Sequence, residues 1–260
     1  MICLLFSNLI NNLSYIPVKN MKNHKLHERF TSSNAIDLTH PLNSNIPTWE
    51  GSCGFKKTIM GDYEDSLSRT SFQFQCLEMK AGIGTHMDAP CHCIKGGKSI
   101  ADISLEELIL PLIVIDVSSR AHETYEISAD DIKKFEDANG KIPSGSLVVG
   151  YTGWSQHWNE PSKYRNADAN GEVHFPSFNK KTAEILLDRD ISGLAIDTLS
   201  PDVGLKGYFP VHELFLGAGK YLIENVANAH LLPPFGAYGI VLPLKVSKGA
   251  EAPVRFIAFI

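Results

Sequence analysis

Three side chains that can bind a metal ion or carry a proton lie within seven residues of one short segment, at His86, Asp88 and His92. In an extended chain the side chains at i and i+2 point to the same side, so His86 and Asp88 can converge on one point. Pro90 excludes a regular helix and stiffens the turn that brings His92 back toward His86 and Asp88. An imidazole and a carboxylate on one face of a rigid segment suit a divalent cation such as zinc or manganese. A polar turn with incidental histidines is the alternative.

A second pair of candidate ligands lies near the C-terminal end, at His212 and Glu224. His212 is expected at the start of a helix that ends near Gly217 or Gly219. Glu224 lies in the apolar run 221–226, where a carboxylate is costly to bury unless it is paired, hydrogen-bonded or bound to a metal ion. An ion pair with a distant Lys or Arg is the alternative.

Two aspartates, Asp197 and Asp202, follow a predicted buried strand. Acids at the strand ends of α/β sheets often face the ligand crevice, so these carboxylates could orient His212 from behind. For Asp202, a turn residue next to Pro201 is an equally good interpretation.

The elements that would position these side chains alternate between strands and helices. Apolar runs rich in branched residues predict strands over 110–117, 146–151 and 192–197, and closing strands over 238–244 and 254–260. Capping residues and apolar spacing predict helices from Ser128 to Gly140 and over 177–190, and a shorter helix over 102–108. The pattern favours a single α/β domain over 34–260.

Composition excludes several classes of protein. The 260 residues are 43% hydrophobic and 20% charged, with a net charge of −5, so neither a nucleic-acid partner nor a membrane partner is indicated. Five scattered cysteines do not form a disulfide framework, which indicates a reducing compartment and a cytoplasmic protein. Residues 1–33 lack the features of a signal peptide and are expected to be a poorly ordered extension, in which Met21 is a plausible true start.

The segment 82–92 resembles the signature of the cyclase-family metal-dependent hydrolases, a family that includes kynurenine formamidases and isatin hydrolases. That signature runs His-x-Gly-Thr-His-x-Asp-x-Pro-x-His, and this chain reads Gly-Ile-Gly-Thr-His-Met-Asp-Ala-Pro-Cys-His. Other segments resemble the family too, at 36–42, 151–155, 175–178, 193–202, 212–225 and 253–255. The resemblance covers about residue 35 to the C terminus.

The resemblance implies roles for single residues. His86, Asp88, His212 and Glu224 would be the metal ligands, and His92 the general acid and base. Thr85 and Asp197 would support the ligands, and Trp49 and Trp154 would contact the substrate.

The chain departs from the signature at Gly82, where the family's first histidine binds metal in two-metal members. One zinc or manganese ion is therefore favoured over two. Three side chains could replace the lost ligand: Glu78, Cys76 and Cys91.

The fold implied is of the swivelling β/β/α type, a mixed sheet with flanking helices, in a homodimer or homotetramer. The activity implied is hydrolysis of an amide-type bond. The expected enzyme is an arylformamidase that converts N-formylkynurenine into kynurenine and formate in tryptophan catabolism, or a related cyclic-amide hydrolase. Because of Gly82, a catalytically impaired relative that only binds a small molecule is the alternative, and a protein that keeps the scaffold for an interaction role is a third.

Overall fold

A computed structural model describes residues 34–65, 69–203 and 207–260 of the chain. The extension expected over 1–33 lies outside these residues. The described strands are β1 Ala35–Asp37, β2 Phe55–Gly61, β3 Phe74–Met79, β4 His86–Asp88, β5 Ile109–Asp116, β6 Glu126–Ile127, β7 Leu147–Tyr151, β8 Ser177–Phe178, β9 Gly193–Ile196, β10 Tyr221–Glu224, β11 Tyr238–Pro243 and β12 Glu251–Phe259. The described α-helices are α1 Leu105–Leu108, α2 Ala129–Asn139, α3 Pro161–Arg165, α4 Lys180–Asp188 and α5 Pro210–Gly217.

Seven strands form a closed barrel in the order β12-β11-β5-β7-β9-β10-β4, because β4 pairs with β10 on one side and with β12 on the other. Strands β5, β7, β9 and β10 run parallel, whereas β11, β12 and β4 join through antiparallel pairs. Strand β1 extends the sheet beyond β12. The sheet is therefore mixed, as predicted.

The closure of the sheet corrects the predicted architecture, which was a mixed sheet with flanking helices and not a barrel. The closing strand, β4, has only three residues, and both of its partners lie more than 130 residues away in sequence. Neither alternation nor an apolar run can identify so short a strand.

The parallel strands are buried on both faces, which explains their continuous apolar sequences. On one face, Leu112 and Val114 join the core cluster that includes Met87 and Ile223. On the other face, Ile113 and its neighbours pack against the helices α2, α4 and α5.

Local signals place most elements within a few residues of their predicted positions. Helix α2 begins after Ser128, which forms a capping box with Asp131, and ends at Gly140 with φ 89°. The helix predicted over 177–190 begins later, at Lys180, because Asn179 caps it. Residues 177–178 form β8 instead, paired with β6.

In the described part of the chain, every helix is too short or too polar to cross a membrane.

Candidate metal centre

Three elements bring the four predicted ligands together. His86 and Asp88 are the first and last residues of β4, and Glu224 ends β10 directly opposite His86. Directly paired residues of neighbouring strands point to the same face, so these three side chains share one face of the barrel. Helix α5 packs on that face and contributes His212 from its first turn.

The ligand atoms form a closed ring in which imidazoles and carboxylates alternate. Nε2 of His86 lies 3.6 Å from Oδ1 of Asp88 and 3.3 Å from Oε2 of Glu224. Nε2 of His212 lies 3.5 Å from Oδ2 of Asp88 and 3.5 Å from Oε1 of Glu224. Each carboxylate makes its two contacts through different oxygens, so the four distances describe ion pairs around a common centre. Among the described residues, the candidate ligand atoms that all lie within 4.8 Å of one another belong to two groups, Asp88–His92–His212 and His86–Asp88–Glu251. Both groups include Asp88, and their imidazole and carboxylate donors suit a divalent cation.

An unpaired oxygen gives independent support for a cation. Asp88 is only 2% exposed, and among the described residues its Oδ1 atom has no hydrogen-bond donor. A buried carboxylate oxygen without a partner is costly, and a bound cation removes that cost.

The electrostatics of the ring favour positive charge. Burial alone would lower the pKa of His86, but the carboxylates of Glu224 and Asp88 raise it to about 10. Burial likewise opposes the charge on His212, yet Asp202, Asp88 and Glu224 raise its pKa well above the usual value. Burial raises the pKa of Asp88, but the surrounding histidines outweigh it and the net shift is downward. The carboxylates of the ring therefore create a negative electrostatic potential that favours binding of a cation.

Hydrogen bonds orient the imidazoles of His86 and His212 so that each Nε2 atom faces the centre of the ligand ring. Nδ1 of His86 lies 2.9 Å from the carbonyl oxygen of Gly84, and Nδ1 of His212 lies 2.8 Å from Oδ2 of Asp202. Each acceptor can hold a proton on Nδ1, so that Nε2 would offer its lone pair to a cation once the cation has displaced the second proton. Asp202 also accepts from the backbone N–H groups of Val211 and His212, which caps the start of α5.

The turn before β4 is fixed from several sides. Gly84 has φ +63°, and a Cβ atom there would lie 2.5 Å from Leu42, so this turn requires glycine. Asn225 donates from Nδ2 to the Gly84 carbonyl oxygen, and the hydroxyl of Thr85 donates to the Asn225 carbonyl oxygen. Thr85 therefore lies behind the ligands, where it ties the strand of His86 to the strand of Glu224.

His92 lies beside the ring and borders the same cavity. It forms a group with Asp88 and His212 in which one candidate ligand atom from each lies within 4.8 Å of the others. Its Nδ1 atom lies 3.6 Å from Oε2 of Glu251, the first residue of β12. Burial, together with the nearby charge of Asp88, raises the pKa of Glu251.

The cavity above the ring has a volume of about 370 Å³, the size of a small-molecule site. Its apolar side includes Trp49 and Phe209, whose rings lie 5.9 Å apart. An exposed ion pair between Lys80 and Glu50, 2.7 Å long, lines the opening. The predicted contact residue Trp49 therefore lies at the cavity.

Two predicted side chains serve other purposes. Trp154 does not line the cavity. Its indole N–H donates to the carbonyl oxygen of Tyr164, 2.8 Å away, so the side chain has a structural role. Asp197 does not orient His212, since its carboxylate accepts from Thr152 and Ser155. Asp202 orients His212 instead. Burial raises the pKa of Asp197.

The three suggested replacements for the ligand missing at Gly82 lie elsewhere. Cys76 and Glu78 are exposed on the β2–β3 hairpin, and the thiol of Cys91 lies 3.5 Å from the carbonyl oxygen of Gly249. Glu251 fills the space instead, because a Cβ atom on Gly82 would lie 2.1 Å from its Oε1 atom.

Sequence reasoning missed Glu251 because the last strand was predicted to begin at residue 254, whereas β12 begins at Glu251. An isolated acid before a strongly apolar strand is only a weak signal. No local sequence signal gives Asn225 or Phe209 a role in the site. Asn225 acts by holding the turn at Gly84, and Phe209 acts by contacting Trp49, which is distant in sequence.

The chain is similar to known proteins along most of its length. An isatin hydrolase from Roseibium aggregatum is 34% identical over 241 residues, covering 86% of this chain and 91% of that protein. A kynurenine formamidase from Bacillus cereus is 27% identical over 227 residues, covering 87% and 97%. The solved structure of isatin hydrolase A from Ralstonia solanacearum superposes with a TM-score of 0.83 at 27% identity, covering 94% and 98%.

The family model for Cyclase matches residues 36–203, more than half of the chain, and includes the segment of His86, Asp88 and His92. Together with the match to a relative above 30% identity, this shows that the chain belongs to the Cyclase family.

Proposed function

We propose that this protein is a metal-dependent hydrolase of an amide-type bond in a small aryl substrate. The observation that carries the proposal is the closed ring of His86, Asp88, His212 and Glu224, which lies at the base of a cavity of about 370 Å³. The names of two relatives agree with it, since one is an isatin hydrolase and the other a kynurenine formamidase.

The four ring residues would hold one divalent cation, zinc or manganese. When bound, the cation supplies a Lewis acid that activates water and polarises the substrate carbonyl. The residues of the chain fix where this happens. His86 and His212 present Nε2 atoms whose orientation is set by Gly84 and Asp202, and the carboxylates balance the positive charge.

His92 would handle the proton. It borders the cavity, its side chain is 33% exposed, and it lies next to the ring without closing it. Imidazole is the side chain best suited to accept a proton from water and pass it to a leaving nitrogen near neutral pH. Glu251, on the Nδ1 side of His92, can hold the imidazole in place for that transfer.

The walls of the cavity support an aryl substrate. Trp49 and Phe209 offer an aromatic surface in the same cavity, next to the imidazole of His212, which suits a flat aryl group. An arylformamide such as N-formylkynurenine and a cyclic aryl amide such as isatin both combine an aryl group with a hydrolysable amide. The higher identity to the isatin hydrolase, 34% against 27%, makes isatin the first substrate to test.

The test is to measure bound metal in the purified protein and the turnover of isatin and N-formylkynurenine after loading with zinc or manganese. We expect bound metal and turnover of at least one substrate, both lost in His86→Ala. The matched control is His122→Ala, which removes an exposed histidine outside the ring and should change neither. A wild-type protein that binds neither metal would refute the proposal. Metal binding without turnover would favour the small-molecule binding protein.

We also propose a cytoplasmic homodimer or homotetramer. Light scattering of the purified protein tests the assembly, and a monomer at micromolar concentration would contradict it.

A further inference from the structure

The space beside Gly82 is filled by a carboxylate that comes from the far end of the chain. A Cβ atom on Gly82 would lie 2.1 Å from Oε1 of Glu251 and 3.3 Å from Nε2 of His86. No side chain could occupy position 82 unless Glu251 moved. The glycine and the glutamate therefore fit together as a pair.

The backbone directs Glu251 toward the ring. Strand β12 pairs antiparallel with β4, and in this register Glu251 lies directly opposite Asp88, while Pro253 lies opposite His86. Directly paired residues share a face of the sheet, so Glu251 points to the same side as both ligands of β4. One oxygen of Glu251 lies within 4.8 Å of a ligand atom of His86 and a ligand atom of Asp88.

The chemistry of this corner favours a positive charge. Oδ1 of Asp88 is buried and has no donor among the described residues, although a second carboxylate lies close by. Two carboxylates that share a partly buried space repel each other unless a proton or a cation lies between them. The imidazole of His92 reaches one side of Glu251, at 3.6 Å, and leaves Oε1 directed to the space beside Gly82 and His86.

We propose that Glu251 is a metal ligand that replaces the side chain missing at Gly82, so that His86, Asp88 and Glu251 hold the cation on the Gly82 side of the ring. This inference rests on the proposed function, since it concerns the same cation. An oxygen ligand in this place has a consequence for selectivity. Carboxylates suit manganese, whereas imidazole suits zinc, so Glu251 moves the preference of the site toward manganese.

The experiment compares metal affinities, measured by competition with a chromophoric chelator, for both zinc and manganese. Glu251→Gln keeps the shape of the side chain and removes its charge, and we expect it to weaken manganese binding by about tenfold or more. Glu78→Gln is the matched control, since it removes an exposed carboxylate of the β2–β3 hairpin and should leave both affinities within twofold.

A ligand exchange tests the same idea in the opposite direction. Gly82→His alone should bind manganese less tightly, because its Cβ atom meets Oε1 of Glu251 and forces the flexible end of that side chain away from the site. Gly82→His combined with Glu251→Ala removes that clash and supplies an imidazole. We expect the double variant to regain most of the zinc affinity that Glu251→Ala loses, with a zinc-over-manganese preference higher than that of the wild type.

The outcomes separate this inference from the proposed function. If Glu251→Gln binds both metals like the wild type while His86→Ala does not, Glu251 is no ligand, although the hydrolase proposal stands. The same conclusion follows if Glu251→Gln changes only the rate of turnover, since Glu251 would then act through His92. If the wild type binds neither metal, both proposals fail.

Discussion

Replacing Asp202 by asparagine should weaken metal binding although Asp202 is not itself one of the proposed ligands. Its Oδ2 atom accepts from Nδ1 and from the backbone N–H of His212, and its Oδ1 atom accepts from the N–H of Val211. Asparagine has one acceptor oxygen, so it cannot satisfy both sides. If its amide nitrogen faces Nδ1, the imidazole must accept there, and its proton moves to Nε2, the atom that faces the ring.

The expected magnitudes follow from these contacts. Loss of the partner that orients a ligand histidine costs about 10–100-fold in metal affinity, which corresponds to about 1.4–2.8 kcal/mol. The cap of α5 is weakened as well. One lost cap bond costs about 1 kcal/mol, and a buried N–H left without an acceptor costs about 1–3 kcal/mol. Asp202→Asn should therefore lower both metal affinity and the stability of the metal-free protein.

A second buried carboxylate separates the two effects. Asp131 is 4% exposed, close to the 3% of Asp202, and it too accepts from a backbone N–H at the start of a helix. Its other partners include Arg120 and Tyr125, which lie outside the metal centre. Asp131→Asn should destabilise the metal-free protein by a similar amount and leave metal affinity within twofold.

The assays are chelator competition for metal affinity and urea unfolding of the metal-free protein. The reasoning is refuted if Asp202→Asn loses stability like Asp131→Asn and yet binds zinc and manganese like the wild type. Asp202 would then be a helix cap and nothing more.

Other side chains give further expected outcomes. His92→Ala should reduce turnover by about 10²–10⁴-fold, as steady-state kinetics would show, with metal affinity nearly unchanged; an equal loss of metal would make His92 a ligand. Burial lowers the pKa of His40 to about 4, and its Nε2 atom has no partner among the described residues. The stability that neutral His40 contributes is therefore complete above its unfolded pKa, near 6.5, and is lost as the pH falls through about 4. An NMR titration with a midpoint above pH 6 would contradict this. Tyr164→Phe should cost about 1–3 kcal/mol in urea unfolding, because the Asp197 carbonyl oxygen and Oδ1 of Asn225, 2.9 and 3.0 Å away, lose the one hydroxyl donor that they share; an unchanged midpoint would show that this hydroxyl adds no stability.

The sequence contained enough to predict most strands, because apolar runs such as 110–117 and 192–197 are typical of buried parallel strands. It also contained signals for the ring residues, since His86 and Asp88 share an extended segment and Glu224 is an acid within an apolar run. The family resemblance adds His212 to these three. The spacing of i and i+2 within β4 is a local property, so it can be predicted without tertiary information.

Closure of the barrel could not be predicted, because it depends on β4, three residues long, pairing with two distant strands. The pairing of β4 with β12 also places Glu251 opposite Asp88. Because this pairing could not be predicted, the role of the Glu251 carboxylate could not be predicted either. Which of Asp197 and Asp202 meets His212 could not be predicted either. Both are acids near the end of one strand, and only the path of the chain into α5 decides which of them meets His212.

The most direct test of the central claim is a crystal structure of the metal-loaded protein with anomalous data collected on both sides of the zinc and manganese absorption edges. A peak enclosed by His86, Asp88, His212 and Glu224, with an oxygen of Glu251 in contact, is the result that the account predicts. A loaded protein with no peak inside this ring, or with its ion bound elsewhere, would contradict it.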